Sequence, residues 1–137
     1  MRKGIVALLL ALVVVHPKPP IEPCEVYQAV KRFEFIENEG LEYKRVTCYL
    51  PTGSNCADGS PTEVGTISTN KEHLGQKCIL YRADTLEVIG EYVSHDIGGH
   101  KDLVNGSAID VFAPDMDAAW EWIRQNGDHV YLKWIDE

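Results

Sequence analysis

The sequence has no basic stretch and no excess of basic residues. Its 137 residues include 13 lysines and arginines against 21 aspartates and glutamates, which gives a formal net charge of -8. Proteins that bind a nucleic acid backbone gain affinity because clustered lysines and arginines release counterions. We therefore predict no nucleic-acid partner. The length suits one domain of ordinary size with a short appendage.

The chain also lacks an apolar run long enough to cross a bilayer as a helix. The longest run, Ile5 to Val15, has 11 residues, and these would rise about 16 Å against a hydrocarbon layer of about 30 Å. Arg2 and Lys3 precede the run, which is the order typical of a secretory signal. No small-residue cleavage site follows, so residues 1–16 are either a signal peptide or a short uncleaved anchor with weak membrane association. Both alternatives predict a secreted or cell-envelope protein.

Cysteine is scarce and is not spaced for zinc. None of the four cysteines forms a C-x-x-C pair, the spacing that brings two thiolates to one tetrahedral ion. Two alternatives remain: two disulfides with three connectivities between them, or isolated thiols packed as small apolar side chains. The four residues are Cys24, Cys48, Cys56 and Cys78.

Residues 17–40 are predicted to separate the apolar segment from the domain. Residues 16–23 include four prolines, and proline at this density favours an extended spacer. Apolar residues at roughly helical spacing from Val26 to Ile36 are compatible with a short lead-in helix that stops before Gly40.

From Leu41 onward, short β-like segments alternate with turn residues. Six strands with one short helix predict an all-β fold, and a small closed barrel is favoured over a sandwich. Asp84 and Thr85 are predicted to form a hairpin turn between the third and fourth strands. The predicted strands are Leu41 to Leu50, Gly65 to Thr69, Lys77 to Tyr81, Val88 to His95, Ala108 to Phe112 and His129 to Ile135.

One helix is clearly indicated after Pro114. Asp115 is predicted to cap its start and Gly127 to end it. Trp122 is either an exposed ring for stacking on sugar or a peripheral core residue. The stripe predicted to pack on the core comprises Met116, Ala119, Trp120 and Ile123.

The densest group of chemically active residues surrounds two aspartates. Asp96 precedes Gly98 and Gly99, where tightly turning backbone leaves a carboxylate accessible to a large ligand. Asp110 lies in a predicted strand and points to the opposite face from Ile109. Two carboxylates on neighbouring loops of a barrel would then converge.

These residues carry a resemblance to a known family. The segments Asp96 to Gly99 and Gly106 to Asp110 resemble the Asp-x-Gly-Gly and Gly-x-x-Ile-Asp signature of the Asp-Asp-Asp (3D) domain of the lytic transglycosylase A type. Matches at Ala57 to Gly59, Gly65 and Leu74 to Gly75 follow in the expected order upstream. The resemblance covers a domain of residues 41–137 and implies a six-stranded double-psi β-barrel.

The resemblance implies a peptidoglycan lytic transglycosylase acting on glycan strands of the wall. Asp96 would protonate the glycosidic oxygen between N-acetylmuramic acid and N-acetylglucosamine, then accept a proton from the muramic acid hydroxymethyl group. The released glycan product would carry an anhydro-muramyl end. Because this nucleophile belongs to the substrate, no second carboxylate has to attack the sugar or activate water, and no cofactor is expected. Asp110 would tune and orient Asp96, or alternatively bind loop backbone amides.

Two departures from the family signature keep alternatives open. Asn70 stands where the first family aspartate is expected, and it offers hydrogen bonds without charge. The loop between Asp96 and Asp110 is longer than the family norm. A barrel that binds wall glycan without cleaving it is therefore the alternative function. The substrate-binding candidates are Asn70, Tyr49, Gly98 and Gly99, with Tyr43 as a weaker one.

A third alternative is a metal-dependent hydrolase. Two histidines and two aspartates lie within eight residues, but their spacing matches no strong zinc signature. We therefore predict no metal site. The residues are His95, Asp96, His100 and Asp102.

Overall fold

The computed structural model describes residues 18–20 and 22–136. The predicted signal peptide or anchor of residues 1–16 therefore lies outside the described residues. Within the described part of the chain, no helix is both long enough and apolar enough to cross a bilayer.

Six strands and three α-helices make up the fold of the described residues. The strands are β1 (Glu42–Tyr49), β2 (Thr66–Thr69), β3 (Lys77–Arg82), β4 (Val88–Ile97), β5 (Ala108–Phe112) and β6 (His129–Ile135). The helices are α1 (Pro23–Glu39), α2 (Lys101–Val104) and α3 (Met116–Asn126), with a 3-10 turn at Lys71–His73.

The strands close into a barrel in the order β1-β5-β2-β4-β3-β6. The pairs β1/β5 and β2/β4 are parallel, and the other four neighbouring pairs are antiparallel. Closure removes the unpaired edges that an open sheet of this size would expose. The predicted barrel is therefore confirmed as a closed, six-stranded mixed barrel.

The predicted strands are confirmed with small changes at their ends, but the predicted fold class needs correction. Helix α1 has 17 residues and α3 has 11, so the chain is α+β rather than all-β with one short helix. The lead-in helix is longer than predicted because it starts at Pro23, a residue that suits the first helical position. It ends at Gly40, which has a φ of 63°.

Alternation along the strands separates an apolar interior from a polar outer face. Polar residues such as Thr47, Ser68 and Asp110 alternate with the interior ones, and they therefore face outward. The buried cluster inside the barrel consists of Val46, Ile67, Cys78, Leu80, Ile109, Val111, Val130 and Leu132.

Helix α3 docks through only part of the predicted face, since Ala119 is buried and Ile123 packs against the core cluster. Its cap is as expected, since Asp115 Oδ1 accepts a hydrogen bond from Ala118 N at 2.8 Å. Trp122 packs against the core cluster and donates from Nε1 to the hydroxyl of Tyr92 at 3.0 Å. Trp120 is 68% exposed and Met116 is 56% exposed. The prediction was wrong for these two residues because the half-buried Tyr92 hydroxyl offers the indole of Trp122 a polar partner.

All four cysteines are free thiols. Cys78 lies in the barrel interior, and burial raises its pKa to about 12. Burial likewise raises the pKa of Cys48 to about 11, with a further contribution from Asp110. The described structure therefore has free thiols rather than the two disulfides, and Cys48, Cys56 and Cys78 are packed as in the second alternative, whereas Cys24 is exposed.

Candidate functional site

The two predicted catalytic aspartates lie on one face of the sheet, on β4 and β5, with β2 between these two strands. Ser68 on β2 pairs in register with Asp96 on β4 and with Asp110 on β5. Since β2 runs between β4 and β5, the two aspartates are separated by two strand spacings, or about 10 Å between Cα atoms. Thr47 on β1 extends the same row by pairing with Asp110. This polar row of four strands is the centre of the candidate site.

Asp110 is half-buried and borders a cleft. Thr47 donates a hydrogen bond from Oγ1 to Asp110 Oδ1 at 3.1 Å. Burial raises the pKa of Asp110, the bond from Thr47 opposes this, and the negative charge of Asp96 adds to it. The cleft has a volume of about 300 Å³ and is lined by Arg45, Thr47, Cys48, His100, Leu103, Ala108 and Asp110.

Asp96 has one carboxylate oxygen held by backbone and one that is not. Its Oδ1 accepts hydrogen bonds from Ala57 N at 3.1 Å and from Ile97 N at 2.9 Å. Its Oδ2 accepts none from the described residues. Asp96 does not line the Asp110 cleft. The carboxylate is thus fixed at the end of β4, with Oδ2 left for other partners.

A second cleft lies beside the first. It has a volume of about 320 Å³ and is lined by Asn70, Lys71, Glu72, Ile97, Gly98 and Val104. The side-chain oxygen Oδ1 of Asn70 is buried and has no hydrogen-bond partner among the described residues. An unpaired buried acceptor is costly unless a ligand or water supplies a donor.

The extra length between the two aspartates forms α2, a helical turn that was not predicted. Leu103 of α2 is buried and lines the first cleft, whereas Val104 lines the second. Asp102 Oδ2 lies 2.8 Å from Arg45 Nη2 on β1 and forms an ion pair with it. Helix α2 is therefore packed between the two clefts.

The two glycines of the signature have different surroundings. A β-carbon at Gly98 would lie 2.0 Å from Cδ1 of Leu103, whereas nothing lies within 4 Å of a β-carbon at Gly99. Gly98 thus permits the close approach of α2. Of the two predicted substrate-binding glycines, only Gly99 has open space beside it.

Tyr49 belongs to the site and Tyr43 does not. The Tyr49 ring packs edge-on against Phe112 at 5.5 Å, and its hydroxyl is buried without a partner among the described residues. Burial raises the pKa of Tyr49, and nearby Asp96, Cys56 and Asp110 add to the effect. Tyr43 is about 20 Å away along β1, where its ring stacks on His129 at 5.1 Å.

Sequence reasoning missed a polar cluster next to Asp96. His95 Nδ1 lies 2.5 Å from Asp58 Oδ2 and 3.2 Å from Ser60 Oγ. Ser60 donates to Asp58 Oδ1 from Oγ at 2.5 Å and from its backbone N at 2.9 Å. These bonds from Ser60, with that from His95, lower the pKa of Asp58 to about 2. The signature match at Ala57 to Gly59 and the metal alternative each pointed to one partner, Asp58 and His95, but nothing in the sequence indicated that the two side chains meet.

The four residues of the metal alternative do not converge. His95 and Asp96 contact the segment 57–60, whereas Asp102 pairs with Arg45 on the other side of α2. Among residues 18–20 and 22–136, no group of three or more His, Cys, Asp and Glu is placed to hold a metal ion.

Two comparisons with known proteins found no relative of this chain. No protein-family model matches the chain, and no curated protein matches it. The fold and site define a closed six-stranded mixed barrel with two carboxylates on one outer face.

Proposed function

We propose that the protein is a peptidoglycan lytic transglycosylase of the secreted or envelope-anchored kind. The observation that carries this proposal is the shared pairing of Asp96 and Asp110 with Ser68, because it brings both signature aspartates to one face. The closed strand order with two parallel pairs is compatible with the double-psi barrel that the signature implies. No family match supports the assignment, so it depends on this geometry and on the signature residues.

In the proposed reaction, Asp96 acts as general acid and base. Its Oδ2 donates a proton to the glycosidic oxygen as the muramic acid O6 attacks the anomeric carbon, and the resulting carboxylate accepts the proton that O6 loses. The bond from carbon to the departing sugar breaks and the bond from O6 to the same carbon forms. Oδ1 keeps its two backbone hydrogen bonds throughout, so the carboxyl does not rotate away from the bond being cleaved.

The neighbouring polar groups have supporting roles in this proposal. Asp110, whose pKa burial raises, orients the substrate beside Asp96. Asn70 Oδ1 and the Tyr49 hydroxyl are buried without partners in the described chain. Sugar hydroxyl and acetamido groups would supply the missing hydrogen bonds.

Digestion of purified sacculi tests the proposal. Wild-type protein is expected to release fragments with anhydro-muramyl ends, detected by mass spectrometry. Asp96→Asn is expected to lower their release by about 100-fold or more, because a positioned acid or base contributes at least that much. Asp84→Asn is the matched control, since this aspartate is 63% exposed on its side chain and lies in the turn after β3. Wild-type protein that releases no such fragments would refute the proposal.

A glycan-binding barrel without catalysis is the second candidate. It is favoured by the two backbone bonds to Asp96 Oδ1, which suit a structural role, and by the fact that Asp96 does not line the Asp110 cleft. Sedimentation with insoluble peptidoglycan, retained in Asp96→Asn and without released fragments, would identify this function.

A further inference from the structure

The hydrogen bonds around His95 determine which ring nitrogen carries the proton. Asp58 has a pKa of about 2, so it is ionised at neutral pH and can only accept hydrogen bonds. The nitrogen that lies 2.5 Å from its Oδ2 is His95 Nδ1, which must therefore be the N–H donor. In a neutral imidazole the other nitrogen, Nε2, then has a free lone pair.

This arrangement is not that of a serine nucleophile with its base. In such a triad the serine and the aspartate contact opposite ring nitrogens. Here Ser60 and Asp58 both contact Nδ1, and the Ser60 hydroxyl donates to Asp58. His95 Nε2 has no hydrogen-bond partner among the described residues, so it remains available to a ligand.

A bulge in β4 brings the side chains of His95 and Asp96 to the same loop segment, residues 57–58. Ile67 pairs with Ser94 and Ser68 pairs with Asp96, so His95 is the extra residue between them. Such bulges are common where a strand must redirect a side chain at a functional site. Both side chains contact the same short segment, since Asp96 Oδ1 accepts from Ala57 N and His95 Nδ1 bonds Asp58.

We propose that His95 is a second catalytic residue of this site, in which Nε2 takes over from Asp96 the role of base toward the attacking hydroxyl and Asp96 remains the acid. Asp58 is the positioning residue that holds the imidazole. The inference rests on the proposed function. The O6 proton moves to Nε2 as O6 bonds to the anomeric carbon, and the Asp96 proton moves to the departing oxygen. Solvent then carries the proton from the imidazolium back to the Asp96 carboxylate, so protons and charge balance.

Dividing the two proton transfers has a chemical advantage over using one carboxyl for both. A carboxyl that has to donate a proton to one oxygen and accept one from another must act in succession, whereas two groups can act in the same transition state. The imidazole of His95, which is paired with Asp58 and lies close to Asp96, supplies the second group. Asp58 from the loop faces the His95 ring, and Asp96 follows His95 on β4. Tyr49, in turn, lies near Asp96, Cys56 and Asp110.

The test compares variants in the sacculus digestion at neutral pH. His95→Gln is expected to lower the rate of anhydro-muramyl release by about 100-fold or more. His129→Gln is the matched control, because its ring stacks on Tyr43 outside the site.

A second measurement does not depend on turnover. Nitrogen-15 NMR of the imidazole rings should show that the neutral ring of His95 carries its proton on Nδ1, and Asp58→Asn should increase the other tautomer. A neutral wild-type His95 ring with its proton on Nε2 would overturn the proposal, as would His95→Gln that folds and cleaves within a few-fold of wild type. If wild-type protein releases anhydro-muramyl fragments but the His95 predictions fail, the proposed function stands and only the role of His95 is refuted. Wild-type protein that releases no anhydro product refutes both.

Discussion

At the scale of single residues, two aspartates of the site respond to their surroundings in opposite directions. Burial raises the pKa of Asp110, and hydrogen bonds led by those from Ser60 lower the pKa of Asp58 to about 2. The environment of Asp110 therefore disfavours its charged form, whereas the environment of Asp58 favours it. Sites that carry out proton transfer commonly contain such differences between neighbouring groups.

The raised pKa of Asp110 predicts a stability change on substitution. Because the folded pKa lies above the unfolded one, the ionised Asp110 costs stability at pH values above the folded pKa, and this cost disappears below the unfolded pKa. Asp110→Asn keeps an oxygen that can accept from Thr47 and removes the charge. We expect a small rise in the melting temperature at pH 7 and none near pH 3. Lower stability of the variant at pH 7 would contradict this assignment.

At the scale of elements, α2 decides how the two clefts are separated. This helix of four residues is too short to show a hydrophobic period, so it was not predicted from sequence. Its position depends on Leu103 packing against Gly98 and on the ion pair between Asp102 and Arg45. The buried leucine contact is expected to contribute more than the partly exposed ion pair, because ion pairs near the surface contribute little.

The two glycines after Asp96 give a matched test of this packing. Gly98→Ala places a methyl group 2.0 Å from Leu103 Cδ1 and is expected to destabilise the protein by about 1–3 kcal/mol, the usual cost of overpacking. Gly99→Ala meets no atom within 4 Å and should leave the free energy of unfolding nearly unchanged. Denaturant melts of both variants measure the difference. Equal effects would show that α2 does not pack on Gly98 as described.

Helix α3 shows what the sequence could and could not predict. Its cap at Asp115 and its end at Gly127 follow from local residue chemistry, and both were predicted. The face that it buries depends on Tyr92, which lies 30 residues from Trp122. Helical spacing alone does not indicate such a partner, so Trp120 was wrongly assigned to the core and Trp122 was left between a core role and an exposed one.

At the scale of the whole molecule, the barrel was predictable and the arrangement of its polar row only in part. Alternating apolar residues and turn residues mark all six strands, which is why their bounds agree closely with the prediction. The signature marked Asp96 and Asp110. The cluster around His95 was not predictable because its partner Asp58 is 37 residues away and reaches it through an irregular loop.

The central claim is that the substrate's own hydroxyl, rather than water, attacks the sugar. Digestion of sacculi in heavy-oxygen water, followed by mass spectrometry of the fragments, measures this directly. The account predicts fragments lighter than the hydrolytic product by one water and free of heavy oxygen at the muramic acid end. Fragments with a reducing muramic acid end that carries heavy oxygen would contradict it and identify a hydrolase.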